Sequence, residues 1–216
     1  MLRPTVEEAK ALTGYSLIPV CREILSDIRT PIEVLRILKN VSRHCYILES
    51  VENQEKWGRY TFLGYDPELE ITCLDGVMTV KNVRTGETET RETRHPADYI
   101  REMMSRYRSP KLDGFPSFTG GLVGYFSYDY IKYSEPCLKL DAKDEENFKD
   151  VDLMLFKQVI AFDNIHQKIV LITNINADNI DGEYPEAEKK LAEMVDLIRR
   201  GKPADERKAR LTSDFR

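Results

Sequence analysis

Two pairs of strand-like runs follow one another in this sequence with too few residues between them for a helix. Leu69–Leu74 and Val77–Asn82 flank Asp75-Gly76, a dipeptide typical of the two-residue type I′ hairpin. Residues 152–162 and 168–174 are longer apolar runs, separated by a short polar turn. Strands joined so closely are antiparallel, because a parallel pair needs a crossover of about a dozen residues or more. The sequence therefore predicts antiparallel sheet.

Single amphipathic helices separate the strand groups. Thr5 and Thr30 each begin a capping box, with glutamate three residues later. Further helices are predicted over residues 96–107 and 185–200, the second ending at Gly201. Runs of two or three strands that alternate with single helices predict an α+β fold, with antiparallel sheets and outer helices, rather than a parallel doubly wound sheet. The predicted inward face of the helix after Thr30 consists of Val34, Leu35, Leu38 and Val41.

Composition argues against several classes of protein. The 216 residues are 41% hydrophobic and 32% charged, as in a globular protein. A net charge of −5 argues against nucleic acid as a partner, because phosphate binding needs a basic face. No apolar run approaches the roughly 20 residues that span a bilayer, so no membrane partner is expected. The first ten residues lack the apolar core of a signal peptide, and we expect a cytoplasmic location.

The sequence contains no motif that assigns a catalytic residue or a metal ligand. The four cysteines form no CxxC pair, and the three histidines are scattered. Gly120, Gly121 and Gly124 do not follow the GxGxxG pattern of a nucleotide loop, and instead predict a strand that another backbone or a ligand approaches closely. Asp129 is the best single candidate for a catalytic carboxylate. Its structural alternative is the N-cap of a short helix over residues 130–133.

The candidate binding site is a strand end and the strand that returns beside it. In YILESVENQEKWGRYTFLGYDP, Leu48, Glu49 and Ser50 end a strand, and Arg59 begins the next. Glu49 is suited to accept hydrogen bonds from the ammonium of an amino acid, and Arg59 to bind its carboxylate. The alternative from the residues alone is an ordinary Glu–Arg surface pair worth about 0–1 kcal/mol.

These residues also carry a resemblance to a known family. YILESVENQEKWGRYTFLGYDPELEI and GGLVGYFSYDYIKYSE resemble the N-terminal region of anthranilate synthase component I, a chorismate-utilising enzyme. The resemblance extends from about residue 16 to the end of the chain. It implies that the whole enzyme uses Mg²⁺ to convert chorismate and ammonia to anthranilate and pyruvate in tryptophan biosynthesis. Aminodeoxychorismate synthase component I, of the folate branch, shares the Gly-rich block and is the alternative.

The resemblance implies specific roles, partners and boundaries. Tryptophan, the feedback inhibitor, would bind Leu48, Glu49 and Ser50, and less firmly Arg59. A glutamine amidotransferase, component II, would supply ammonia in a hetero-oligomer. Residues 1–200 would be an N-terminal domain within a four-layer α/β/β/α sandwich of two large antiparallel sheets.

Residues 201–216 would be a linker to a C-terminal domain that holds the chorismate site, the Mg²⁺ ligands and the catalytic groups. This chain alone would then be inactive and would expose an apolar sheet surface. From a different class, a non-catalytic amino-acid-binding subunit that acts in trans is a further alternative.

Overall fold

A computed structural model describes residues 1–49, 58–135, 137–138 and 145–204. The strands are β1 (Leu2–Arg3), β2 (Leu17–Leu25), β3 (Cys45–Glu49), β4 (Tyr60–Tyr65), β5 (Leu69–Leu74), β6 (Val77–Asn82), β7 (Thr88–Glu92), β8 (Gly121–Phe126), β9 (Val151–Phe156), β10 (Gln158–Asp163) and β11 (Lys168–Asn176). The helices are α1 (Val6–Ala11), α2 (Pro31–Val41), α3 (Pro96–Met104) and α4 (Ile180–Arg200), with short 3₁₀ turns at Ser105–Tyr107, Tyr128–Tyr133 and Ala177–Asn179.

The strands form two antiparallel sheets. The first sheet has the order β1-β2-β11-β10-β4-β3, and the second has the order β7-β6-β5-β9-β8. Helices α2 and α4 pack on one face of the first sheet, here called its helix face, and α1 packs against α4. Helix α3 packs on the second sheet through Ile100 and Met103. The predicted fold class, α+β with antiparallel sheets and outer helices, is confirmed.

The predicted turn at Asp75-Gly76 is also confirmed. The φ angles of the two residues are 47° and 81°, as a type I′ turn requires. Strands β5 and β6 pair from Leu74↔Val77 outwards, so the two-residue loop fixes their register. Both predicted capping boxes are present, at Thr5 and at Thr30.

The long apolar run at residues 152–162 is not one strand, as the sequence predicts, but two. Strand β9 ends at Phe156 in the second sheet, and β10 begins at Gln158 in the first. The amide of Asn174 stabilises the crossing, since its Nδ2 donates to the carbonyls of Thr119 at 2.7 Å and Lys157 at 3.0 Å. Both strands are largely buried, so apolar residues stand on each side of Lys157 and Gln158 and make the two strands look like one.

Two smaller expectations are also wrong. Val41 is 55% exposed, whereas Val34, Ile37 and Leu38 are buried, because Val41 is the last residue of α2 and Ser42 already caps its end. Asp129 is not the N-cap of the short turn at Tyr128–Tyr133, because this turn begins one residue before it.

Apolar side chains fill both faces of the first sheet. The helix face packs buried residues that include Ile18, Leu63 and Leu171 against α2 and α4. The opposite face, here called the inner face, is covered by Phe115 and Phe118. No helix in the described part of the chain is long and apolar enough to cross a bilayer.

The Gly-rich strand β8 lies close to its neighbour, as the sequence predicts. A Cβ at Gly124 would lie 2.0 Å from the carbonyl oxygen of Asp152 on β9. The φ of Gly124 is 157°, which an L side chain rarely adopts. The glycine therefore serves the close approach of two backbones.

Candidate functional site

Leu48 and Glu49 lie at the end of β3, the outermost strand of the first sheet. Leu48 pairs with Phe62 and therefore points to the inner face, whereas Glu49 pairs with Thr61 and points to the helix face. Both side chains are exposed. Ser50, the third residue of the predicted motif, lies outside the described residues. This strand end thus presents an apolar group and a carboxylate in opposite directions.

Tyr46 supports β3 from the inner face. Its ring lies on the backbone of Gly64 in β4, where a Cβ would come within 2.3 Å of a ring carbon. The ring also meets Phe156 edge to face, with centroids 4.7 Å apart. Burial raises the pKa of the Tyr46 phenol. Gly64 is therefore required in RYTFLG because the aromatic residue of YILES occupies the space of a side chain.

Arg59 pairs with Asp163 of β10 and not with Glu49. Its Nη2 donates to Asp163 Oδ2 at 2.7 Å, and its Nε lies 3.2 and 3.3 Å from the two carboxylate oxygens. The guanidinium also lies over the ring of Tyr60, 4.7 Å from its centroid. The ordinary Glu49–Arg59 surface pair, which was the alternative from the residues alone, is therefore wrong.

Asp163 is a buried carboxylate held on several sides. Its side chain has an exposed fraction of 0%, and its Oδ1 accepts from the backbone N–H groups of Ile165 and His166. Burial by itself would raise the pKa of Asp163, but the hydrogen bonds from Arg59 and from the backbone and ring of His166 outweigh it. The pKa of this carboxyl is accordingly held well below its ordinary value.

The arrangement leaves one part of Arg59 available. The Nε and Nη2 atoms are used by Asp163, and Nη2 also lies 3.0 Å from His166 Nδ1. Nη1 makes no hydrogen bond to another residue in the part of the chain that the structure describes. A guanidinium with one edge fixed and the other open can bind a carboxylate.

Asp163 and His166 are site residues that the sequence analysis missed. The sequence shows only a polar turn after an apolar run. An aspartate at the start of a turn often accepts from N–H groups two or three residues later, and this signal predicts the anchored carboxylate. It does not predict Arg59 as the partner, because that contact depends on β10 pairing with β4.

The Mg²⁺ that the resemblance implies has no evident ligand set here. Within the described ranges, no three His, Cys, Asp or Glu side chains come together as metal ligands would. Two buried carboxylates are already paired with basic side chains. Asp163 pairs with Arg59, and Asp150 pairs with Lys132 at 2.9 Å. The described residues therefore do not fit a Mg²⁺ site.

Comparison with known proteins identifies the family. The family described as chorismate binding enzyme matches residues 43–215. The chain belongs to this family. The matched region begins two residues before β3 and therefore includes Leu48, Glu49 and Arg59.

Two individual relatives carry the same name. Anthranilate synthase component 1 of Acinetobacter calcoaceticus is 37% identical over 189 residues, which are 86% of this chain and 37% of that protein. The same component of Acetivibrio thermocellus is 33% identical over 186 residues, 85% of this chain and 37% of that protein. The resemblance drawn from the sequence is confirmed, and the chain spans well under half of these relatives.

A solved structure gives the same result for the fold. The crystal structure of anthranilate synthase component I from Streptococcus pneumoniae matches with a TM-score of 0.52 and 26% sequence identity. The match covers 83% of this chain and 37% of that one. The two antiparallel sheets with their helices are thus an arrangement that this chain shares with a solved relative.

Proposed function

We propose that this chain is the N-terminal, regulatory portion of an anthranilate synthase component I. The whole protein would convert chorismate and ammonia to anthranilate and pyruvate, with a glutamine amidotransferase as the ammonia-supplying partner. Its Mg²⁺ and its catalytic groups would lie in a C-terminal domain. Two curated relatives that carry this name, at 33% and 37% identity, support the assignment.

The observation that carries the regulatory role is the pair of opposite charges at one end of the first sheet. Glu49 is exposed at the end of β3, and Nη1 of Arg59, beside the start of the neighbouring strand, makes no hydrogen bond to any described residue. A free amino acid has an ammonium for the carboxylate and a carboxylate for the guanidinium. Leu48 is also exposed at this strand end, but it points to the opposite face from Glu49.

The test is an inhibition assay on the protein at its natural full length. Chorismate, ammonium and Mg²⁺ are supplied, anthranilate formation is followed by fluorescence, and tryptophan is titrated. We expect tryptophan to inhibit, and expect Glu49→Gln and Ser50→Ala each to raise the half-inhibitory concentration by about tenfold, because a charge-assisted bond contributes roughly 1.5–3 kcal/mol. Glu92→Gln, at the exposed end of edge strand β7, is the matched control.

Other products or none would contradict the proposal. Formation of aminodeoxychorismate in place of anthranilate would assign the chain to the folate branch. Tryptophan binding without turnover of chorismate would favour a non-catalytic amino-acid-binding subunit. Inhibition that is equally strong in wild type and in both variants would remove the regulatory site from this strand end.

A further inference from the structure

We propose that Asp163 is a positioning residue for inhibitor binding, which fixes Arg59 so that its Nη1 edge meets the carboxylate of the inhibitor. This inference rests on the proposed function, because Asp163 would act within the same site. Asp163 lies on β10, far along the chain from Arg59, and the two meet because β10 and β4 are neighbours in the first sheet.

The contact fixes the orientation of the guanidinium and not only its position. Both oxygens of Asp163 lie within 3.3 Å of Arg59 Nε, and one also accepts from Nη2. This side-on arrangement uses one edge of the planar guanidinium group. Because the group is rigid, fixing its Nε–Nη2 edge also fixes the direction of Nη1.

The carboxylate that orients Arg59 is itself immobile. Asp163 accepts from the backbone N–H groups of Ile165 at 3.2 Å and His166 at 3.0 Å. These bonds tie the carboxylate to the backbone of the turn between β10 and β11. The side chain is fully buried, so water does not compete for its oxygens.

Two rings limit the remaining freedom of Arg59. The Tyr60 ring lies against the guanidinium, and His166 Nδ1 lies 3.0 Å from both Arg59 Nη2 and Asp163 Oδ2. An arginine held in this way loses little rotamer entropy when it binds a ligand, and that saving adds to affinity. Loss of Asp163 would leave Arg59 present and charged but free to move.

The experiment compares two buried aspartates that are each paired with a cation. Asp163→Asn tests the inference. Asp150→Asn is the matched control, because Asp150 is also buried and paired, with Lys132 at 2.9 Å, but lies at the second sheet. Inhibition of the full-length enzyme is measured with tryptophan, with tryptamine, which lacks the carboxylate, and with indole-3-propionate, which lacks the ammonium.

We expect Asp163→Asn to weaken tryptophan and indole-3-propionate about tenfold and to change tryptamine less than twofold. Asp150→Asn should change all three by the same small factor. The ratio between ligands is taken from one preparation, so partial unfolding of a variant does not alter it. Equal weakening of tryptamine and tryptophan by Asp163→Asn would mean that Asp163 only stabilises the fold, and would overturn the inference.

A double-mutant cycle supplies an independent readout. If Asp163 acts through Arg59, then Asp163→Asn should have no further effect on tryptophan inhibition once Arg59→Gln is present. If the two substitutions instead act independently, their fold-changes in tryptophan inhibition will multiply. That result would overturn the inference and leave the proposed function intact. A wild-type enzyme that tryptophan does not inhibit would overturn the proposed function and this inference with it.

Discussion

Beneath the candidate site, the ring of Tyr46 lies directly on the backbone of Gly64. This contact joins the two sequence segments that carry the site, YILES and RYTFLG, and both were recognised from sequence alone. Their mutual packing was not, because a glycine in a strand indicates a close approach without naming what approaches. The same limit applies to Arg59, whose charge was evident and whose partner was not.

Gly64→Ala should destabilise the protein by about 1–3 kcal/mol, because an added methyl group overlaps the Tyr46 ring and forces it from its rotamer. Urea unfolding followed by circular dichroism measures the loss. Combination with Tyr46→Leu, which shortens the side chain, should recover part of it. A Gly64→Ala protein as stable as the wild type would show that the ring moves aside at no cost.

The lowered pKa of Asp163 predicts that the stability of the protein depends on pH. Its pKa is lower in the folded than in the unfolded chain. The stability that Asp163 contributes is therefore present above its unfolded pKa of about 3.9, and it is lost as the pH falls towards the folded pKa. The free energy of unfolding should therefore decrease on acidification below about pH 4, and less steeply in Asp163→Asn. Denaturant titrations at a series of pH values measure both slopes.

The control for that experiment is Asp181→Asn. Asp181 is 77% exposed and pairs with Lys10 at the surface, and exposed ion pairs contribute little. Its substitution should leave the acid slope close to that of the wild type. Identical slopes for wild type and Asp163→Asn would show that the buried pair does not govern acid stability.

At the scale of elements, local sequence signals predict the helix starts and turns that are set by their own residues. The capping boxes at Thr5 and Thr30 and the turn at Asp75-Gly76 lie where the sequence predicts them. The break between β9 and β10 was missed, because it is set by which sheet each strand joins. The apolar residues on each side of Lys157 and Gln158 make the two strands look like one.

The short turn at Tyr128–Tyr133 contacts the β5–β6 hairpin through the Tyr133 hydroxyl and through Lys132, whose Nζ donates to Asp75 Oδ1 at 2.9 Å. Tyr133 donates to Asp150 Oδ2 at 2.6 Å and accepts from the Gly76 N–H at 2.6 Å. Tyr133→Phe should cost about 1–3 kcal/mol, because it removes the partner of the Gly76 N–H in a partly buried site.

Hydrogen exchange should also become faster at the amide of Gly76 in Tyr133→Phe. Tyr128→Phe is the matched control, since Tyr128 belongs to the same turn and is 88% exposed. Unchanged stability and unchanged exchange at Gly76 would mean that water replaces the hydroxyl without loss.

At the scale of the whole molecule, the antiparallel fold class followed from short loops, whereas the strand order did not. The turn around residues 163–167 forces β10 and β11 together, but no local signal indicates that β11 also pairs with β2 along its full length. The pairing of Leu17 with Asn176 joins two apolar strands from opposite ends of the chain. Several other apolar strands would have satisfied the same pattern.

Edge strand β8 and the turn after it expose aromatic side chains, among them Phe126 at 51% and Tyr128 at 88%. The 216-residue chain expressed by itself should therefore self-associate, because contiguous exposed apolar surface favours contact between copies. Sedimentation velocity over a range of concentrations measures this association.

The double substitution Phe126→Ser and Tyr128→Ser should shift that equilibrium towards monomer. Ile165→Ser is the control, since Ile165 is similarly exposed at 53% but lies in the β10–β11 turn. A wild-type chain that sediments as a monomer at every concentration would contradict the prediction.

The pairing of β2 with β11 has a consequence for the synthesis of the protein. Strand β2 is synthesised early, yet its partner β11 begins only at Lys168. At translation rates of about 5–20 residues per second, β2 waits roughly 8–30 s for its partner. During that interval the apolar residues of β2 lack their native neighbour, so the nascent chain should be more prone to aggregate until β11 emerges.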